Sequence, residues 1–320
     1  MMVSTSATVD WGDGTTETIS PNASYQTIGS VHTYANGDFV LHITGYDDCQ
    51  LIYIGSRYGG SHAHWSQFDA LRQLESDTVI MQGNGNAGYS PIPPSRNLRH
   101  INLTKCTSMS NVCIGAQYCV HTMLAPKVET LSNPWTASEA GFEELSFPSL
   151  TSITGQAFNG MTRLESLSFG NGVSSFPDNC VRNLPHLKYM RLPDSMTSLG
   201  SNFLYVSGKF MDSLKVPEGI SDFSVECFRN CGLRRLELPS TVTSMGSSPW
   251  SFYGIISLEE FIIHAVTPPT LAGTNNLNAL SPWCRIYVPH GSGETYKTAT
   301  NWSVQASKIY ELDTNGNIPS

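Results

Sequence analysis

Apolar residues in this 320-residue chain come in short alternating runs that return every 22 to 25 residues. The clearest copies are Leu164-Glu165-Ser166-Leu167-Ser168-Phe169, Leu187-Lys188-Tyr189-Met190-Arg191-Leu192 and Leu233-Arg234-Arg235-Leu236-Glu237-Leu238. The position that closes each run falls at Gln82, Thr104, Pro126, Pro148, Gly170, Pro193, Pro217, Pro239, His264 and Pro289. Within the runs the pairs Ile101/Leu103, Leu145/Phe147, Leu167/Phe169, Met190/Leu192, Leu214/Val216, Leu236/Leu238, Phe261/Ile263 and Ile286/Val288 are two residues apart. A period of two places each pair on one face of a strand, pointing into a core. A second apolar cluster follows about ten residues later, at Ala157-Phe158, Cys180-Val181, Phe203-Leu204, Cys227-Phe228 and Ser251-Phe252. Its spacing predicts one turn of helix or 3-10 helix on the opposite side of each coil. A repeat of this length predicts a solenoid of short parallel strands, in which each coil buries its face against its neighbours.

Leu150-Thr151-Ser152-Ile153-Thr154-Gly155-Gln156-Ala157-Phe158, continuing to Leu164-Glu165-Ser166-Leu167, resembles the BspA-like class of leucine-rich repeats. Cys227-Phe228-Arg229-Asn230-Cys231, followed by Leu233 to Pro239 and Val242, is similar to the same template. The end of the chain also resembles the closing segment such proteins carry: Thr267-Pro268-Pro269-Thr270, Ile286-Tyr287-Val288-Pro289, then Tyr296-Lys297 and Trp302. The resemblance covers roughly residues 98–312 and weakens before residue 98. It implies a leucine-rich repeat solenoid from a class that is typically secreted or surface-attached.

The N-terminus has a different pattern. Ala7-Thr8-Val9-Asp10-Trp11-Gly12-Asp13-Gly14-Thr15 reads as a strand entering a tight Gly/Asp turn. Val31-His32-Thr33-Tyr34 and Phe39-Val40-Leu41-His42-Ile43 read as strands joined by a turn at Asn36-Gly37-Asp38. This set is similar to the polycystic-kidney-disease (PKD-like) immunoglobulin-type module, shortened at its start. The expected organisation is a small PKD-like β cap at 1–48, a leucine-rich repeat solenoid at 49–289 and a C-terminal capping segment at 290–320.

Composition narrows the choice of partner. Charged residues make up 14% of the chain and the formal net charge is −8. No basic run is present, which disfavours nucleic acid or an anionic membrane surface. No stretch is apolar for long enough to span a bilayer as a helix. Met1-Met2-Val3-Ser4-Thr5 leads straight into a strand, so no signal peptide is read at this end. The expected location is extracellular or cell-surface, with a phage virion as the alternative.

Several motifs that could carry chemistry have simpler structural readings. The eight cysteines include no C-x-x-C pair, and Cys180 and Cys227 sit at the buried turn, so core thiols are expected. Gly83-Asn84-Gly85-Asn86-Ala87-Gly88 has G-x-G-x-x-G spacing, but Pro91, Pro93 and Pro94 forbid the helix that a dinucleotide site needs. His62 and His64 could share one face of a strand, yet no third ligand is evident. Asp10, Asp13 and Asp38 are calcium candidates by ligand type, although hydrogen bonding to turn N–H groups is the preferred reading. No nucleophile elbow, zinc-protease motif or convincing carboxylate pair occurs, so no enzyme activity and no cofactor are expected.

What remains is the strand face that points away from the core. Stacking predicts two ladders there. One is His100, Thr122, Glu144, Ser166, Tyr189, Ser213, Arg235, Glu260, Arg285, and the other is Asn102, Leu124, Ser146, Ser168, Arg191, Lys215, Glu237, Ile262, Tyr287. The middle coils gather Tyr189, Arg191, Lys215, Arg235 and Glu237, an aromatic beside cations in an acidic protein. This is a candidate recognition patch. The alternative is that these charges neutralise one another across neighbouring strands. The expected function is non-catalytic recognition or adhesion toward an extracellular protein or glycan. A structural or receptor-binding part of a phage tail or baseplate is the alternative.

Overall fold

The computed structural model describes residues 7–11, 13–19, 42–44, 73–75, 80–82, 98–110, 114, 120–134 and 141–319. The chain divides into two units, Met1–Phe147 and Pro148–Ser320.

In the first unit, β1 (Ala7–Asp10) pairs antiparallel with both β2 (Thr16–Ile19) and β3 (His42–Thr44). The hairpin turn is closed by Trp11 N–H donating to the Thr15 carbonyl at 3.0 Å. The remaining described strands of this unit are parallel. One ladder runs β4 (Gln73–Glu75), β6 (His100–Asn102), β8 (Thr122–Leu124) and β10 (Glu144–Phe147). A second ladder runs β5 (Ile80–Gln82), β7 (Ser108–Ser110) and β9 (Thr130–Ser132). Each coil therefore contributes two strands here. This corrects the placement of Gln82: the partner of β6 in the main ladder is β4, and Gln82 belongs to the second ladder, opposite Ser110. Alternating residues mark both ladders equally, so period alone could not separate them.

The second unit contains β11 (Ser152–Thr154) and two further parallel ladders. The first joins β12 (Ser166–Phe169) to β13 (Tyr189–Met190). The other runs β14 (Ser213–Lys215), β15 (Arg235–Leu238), β16 (Glu260–Ile263), β17 (Arg285–Val288) and β18 (Ile309–Glu311). Partners such as Arg235 opposite Glu260 and Glu237 opposite Ile262 keep the register expected from the repeat. The inward residues Leu167, Met190, Leu214, Leu236, Phe261 and Ile286 are buried.

The opposite side of the coils carries the expected short turn, a 3-10 helix at Thr274–Leu277 and single i→i+3 turns in earlier coils. Isolated i→i+3 turns stand there, for example Asn159 N–H to Gln156 O and Tyr205 N–H to Asn202 O. The other N–H groups cross to the next coil: Phe158 to Cys180 O, Leu204 to Cys227 O, Phe228 to Ser251 O. Satisfying the backbone between coils leaves too few bonds within one coil to propagate a helix. Below these turns the rings of Phe158, Phe169, Phe176, Phe203, Phe228 and Phe252, and finally Phe261, follow one another at centroid distances of 5.7, 5.2, 5.1, 6.4, 5.2 and 5.9 Å. Phe223 wedges beside this spine, 5.6 Å from Phe228 and 5.1 Å from Phe252. Outside the turns, Arg229 lies over the rings of Tyr205, Trp250 and Tyr253 at 5.8, 5.4 and 5.9 Å, and Arg182 lies over Tyr205 at 5.1 Å. These cation–π contacts tie coils together across the surface.

One coil is irregular. A left-handed backbone recurs at Gly160 (φ 78°), Asn183 (58°), Val206 (54°), Asn230 (55°) and Gly254 (75°), at the same point of successive coils. Glycine and asparagine tolerate that conformation, whereas a β-branched side chain is strained in it. Val206→Asn is expected to raise stability by about 1 kcal/mol, the lower end of such strain. The urea midpoint reads the effect, and an unchanged or lower midpoint would show that valine costs nothing there.

The chain closes with α1 (Gly293–Thr298) and a 3-10 helix at Ser303–Lys308, leading into β18. Side chains from this segment satisfy carbonyls of the preceding coil. Tyr296 Oη donates to Ala265 O at 2.7 Å and Trp302 Nε1 to Pro269 O at 2.8 Å, while Asn301 Nδ2 reaches Leu271 O at 2.9 Å. Among the described residues no helix is long and apolar enough to cross a membrane.

Candidate recognition surface

The outward face of β14–β18 is set by the pleat, because residues flanking each buried position point to solvent. Lys215, Arg235 and Glu237 come together there. Lys215 Nζ lies 2.9 Å from Glu237 Oε1, and Arg235 lies 3.8 Å from Glu237 and 3.0 Å from Glu260. His264 Nε2 also reaches Glu237 Oε1 at 3.0 Å. Burial, the largest influence on Glu237, pushes its pKa up. Hydrogen bonds from Lys215 and His264 outweigh it, and the net value is lowered. A lowered folded value means the carboxylate stabilises the fold above the ordinary glutamate range, and that contribution is lost as pH falls through the folded value. Wild type and Glu237→Gln are therefore expected to differ in unfolding midpoint at pH 7 and to converge in acid. A gap independent of pH would show that charge is not involved.

Tyr189 and Arg191 belong to the preceding coil, whose strand does not pair with β14. Tyr189 is 55% exposed on β13, which ends one sheet, while β14 begins another. Arg191 pairs with Asp194 at 3.2 Å. The coil between them is the irregular one, 24 residues from Pro193 to Pro217. Each cation among the five residues has a carboxylate partner.

A different feature dominates this face. A groove of about 780 Å³ is lined by residues from Lys209 to Tyr287. Three large apolar side chains stand out around it: Phe210, 60% exposed, Ile256, 74%, and Trp283, 83%. They occupy the turns just before β14, β16 and β17. The equivalent turn before β15 carries Gly232, which leaves the space between them open. A Cβ at Gly232 would lie 2.3 Å from Lys209 Cα, so the close approach of the two coils requires glycine. His186 stacks on Phe210 at 5.9 Å and extends one wall.

The charges of the groove are mostly matched. Arg234 meets Glu259 through two hydrogen bonds, at 3.2 and 3.0 Å, and approaches Asp212 at 3.5 Å. Glu260 is held by Arg235. Lys209 and Arg285 are different: among the described residues neither is within ion-pair distance of a carboxylate, although Glu260 stands opposite Arg285 in the strand ladder. The Arg285 guanidinium is steadied by aromatic groups, with its pKa pushed up first by a hydrogen bond to Tyr287, and it lies 5.7 Å from the Tyr310 ring centroid. Tyr287 and Ile262, both outward by register, are buried because Leu312 packs on them, with Ile318 beside it. Sequence reasoning missed this groove, since its rim residues lie in turns outside the strand ladders. The signal available was the run Phe210, Gly232, Ile256, Trp283, large side chains interrupted by glycine.

Other candidates resolve simply. Asp13 accepts hydrogen bonds from Thr15 N–H at 3.0 Å and Thr15 Oγ1 at 2.6 Å, a turn role. Asp38, His62, His64 and the glycine motif at 83–88 lie outside the described residues. Among the described residues no group of three or more His, Cys, Asp or Glu is placed to hold a metal ion. Cys106, Cys180, Cys227, Cys231 and Cys284 are all buried. Burial pushes the Cys180, Cys231 and Cys284 thiols up to about 12, so they are protonated and poorly nucleophilic near neutrality.

Solved structures similar to this chain include three leucine-rich or antigen proteins. A leucine rich cell surface protein from Faecalibacterium prausnitzii is 14% identical, with 85% of this chain and 98% of that one covered and a TM-score of 0.36. The pneumococcal vaccine antigen PcpA is 12% identical, with 90% and 95% covered and a TM-score of 0.34. A leucine-rich repeat protein from Bacteroides ovatus is 12% identical, with 90% and 100% covered and a TM-score of 0.27. No curated protein matches. Residues 137–266, which supply most of the aromatic spine and the strands around Glu237, match the BspA type leucine rich repeat region in six copies.

Proposed function

We propose that this chain is a non-catalytic recognition module, displayed outside the cell, that binds a macromolecular partner through the outward strand face of its second unit. The observation that carries the reading is the groove rimmed by Phe210, Ile256 and Trp283. Large apolar side chains exposed together around a concavity mark interaction sites, whereas singly scattered ones do not. The BspA type repeats at 137–266 support it, because such repeats are scaffolds that present an extended face. In this reading the PKD-like residues 1–48 and the segment 290–320 act as caps for the repeats at 49–289. The Lys215, Arg235 and Glu237 cluster then serves as a polar border that sets orientation, and supplies little affinity.

The test is binding of the purified chain to an array of extracellular proteins and glycans, with mass in solution measured in parallel. A saturable hit by a monomer is the expected result. Absence of any hit from a protein that assembles symmetrically would replace this reading with a structural role, such as a virion part.

A further inference from the structure

The groove balances its charge internally. Lys209, Arg234 and Arg285 line it together with Asp212, Glu259 and Glu260, three cations against three carboxylates. Nothing in that balance attracts a partner of either sign, although the molecule as a whole carries −8. Part of this charge is arranged as a row. Arg234 donates from Nε and one terminal nitrogen to the two oxygens of Glu259, and its remaining nitrogen approaches Asp212. Such a fork is flat and fixed in direction, and both partners keep spare capacity: a guanidinium has five N–H donors and a carboxylate about four lone-pair sites. A hydroxyl group both donates and accepts. A polyhydroxyl ligand can therefore bond to the donors and acceptors of this row in turn without breaking its ion pairs.

The aromatic groups have a complementary placement. Strand register puts the coils of Arg234 and Glu259 between the coil of Phe210 and that of Trp283. The two exposed aromatic side chains therefore stand at the ends, and the stretch between them holds the charged row beside Ile256. A protein–protein interface has the opposite anatomy, with charged residues depleted from its centre and gathered at its rim. A pyranose ring matches what is found here, because its C–H faces pack on an aromatic plane while its hydroxyls project from the ring edge. Trp283, 83% exposed, offers the plane. The negative face of the indole attracts weakly positive C–H groups. Three coil spacings separate Phe210 from Trp283, about 14 Å, so the space takes more than one ring. Resting on the recognition role proposed above, we infer that the groove at Phe210–Tyr287 binds a neutral oligosaccharide, with Trp283 as the stacking platform, Asp212 and Glu259 accepting from sugar hydroxyls and Arg234 donating to them.

The experiment is screening of the full-length chain against short neutral oligosaccharides built from hexose and N-acetylhexosamine units, followed by calorimetry and tryptophan fluorescence on the hits. Trp283→Ala, Trp283→Phe and Glu259→Ala are measured beside wild type. Both side chains are exposed, and melting curves confirm that the variants fold. The expected result is a saturable hit whose affinity falls at least about 10-fold in Trp283→Ala, as for a central aromatic contact. Glu259→Ala should also lose about 10-fold, as for hydrogen bonds to a charged group. Trp283→Phe should recover most of the affinity seen by calorimetry, while the fluorescence change that reports stacking on the indole disappears. Added salt should leave the affinity of wild type unchanged, because the ligand carries no charge.

A neutral oligosaccharide that binds wild type and Trp283→Ala alike overturns the site while leaving recognition elsewhere on the face intact. A loss in Trp283→Ala with none in Glu259→Ala overturns the part given to the charged row. Hits confined to charged glycans, with affinity that falls as salt is added, overturn the neutral ligand. Binding of no oligosaccharide, while an extracellular protein on the broader array binds, overturns the inference but not the recognition role. Concentration-dependent self-association abolished by Trp283→Ala makes the occupant a second copy of this chain, and also overturns it. Failure of the oligosaccharides together with failure of the protein and glycan array sinks both this inference and the recognition role.

Discussion

Trp302→Ala is expected to lower the unfolding free energy of the second unit by about 3–5 kcal/mol, the range for removing a large buried aromatic. Trp302 is 1% exposed, packs edge-on against Tyr296 at 5.1 Å and donates Nε1–H to Pro269 O at 2.8 Å. Alanine removes the ring, opens a cavity and leaves the Pro269 carbonyl without its donor. Trp302→Phe retains most of the apolar contact and loses the hydrogen bond, so its cost should be smaller, about 1–3 kcal/mol. The effect should spread inward. In a solenoid each coil is stabilised mainly by its neighbours, so loosening the last turn exposes the next. Denaturant titration gives the magnitude, and hydrogen exchange at β16–β18 gives the location. Equal midpoints for wild type and Trp302→Ala would mean that the C-terminal segment rests on the last coil without stabilising it.

Phe228→Ala should be equally damaging, at about 3–5 kcal/mol, for a different reason. Phe228 is fully buried, and its ring touches three others, Phe203 at 6.4 Å, Phe223 at 5.6 Å and Phe252 at 5.2 Å. Its loss interrupts the aromatic spine in the middle. Phe228→Leu should cost less than about 1.5 kcal/mol, as volume-conserving exchanges do. Phe169 gives the contrast: it belongs to the same spine but is only half-buried, so Phe169→Ala should cost clearly less than Phe228→Ala. Chemical denaturation of the three variants orders them. A Phe169 effect as large as that of Phe228 would show that ring contact, and not burial, sets the energetics.

The two effects differ in how visible they were beforehand. Phe228 falls at a fixed distance after each strand, in step with Phe158, Phe203 and Phe252, so the repeat itself marked it as core. Trp302 belongs to no repeat, and only its resemblance to a closing segment singled it out. Its hydrogen bond to Pro269 spans 33 residues, and no local pattern encodes it. The cation–π stack of Arg229 on Tyr205, Trp250 and Tyr253 was equally invisible, because it joins three coils through side chains of unlike type.

The sequence by itself determined the period, the inward face of each strand and the coil-to-coil register. Burial of alternate residues allows only one facing, and a shift by one residue would expose the whole apolar set. It could not separate the main ladder from the second one at Gln82, since both alternate in the same way. Tertiary structure decided what the outward face became. Packing of Leu312 on Ile262 and Tyr287 hid two residues that the alternation places in solvent. Strand pairing breaks between Tyr189 and Ser213, within the expected patch. Glycine at 232 opened a groove between the turns of Phe210 and Ile256, which lie 46 residues apart along the chain. Surface chemistry depends on which side chains meet across coils, and charges there are neutralised or left spare by distances of 3 to 4 Å that a repeat pattern does not specify.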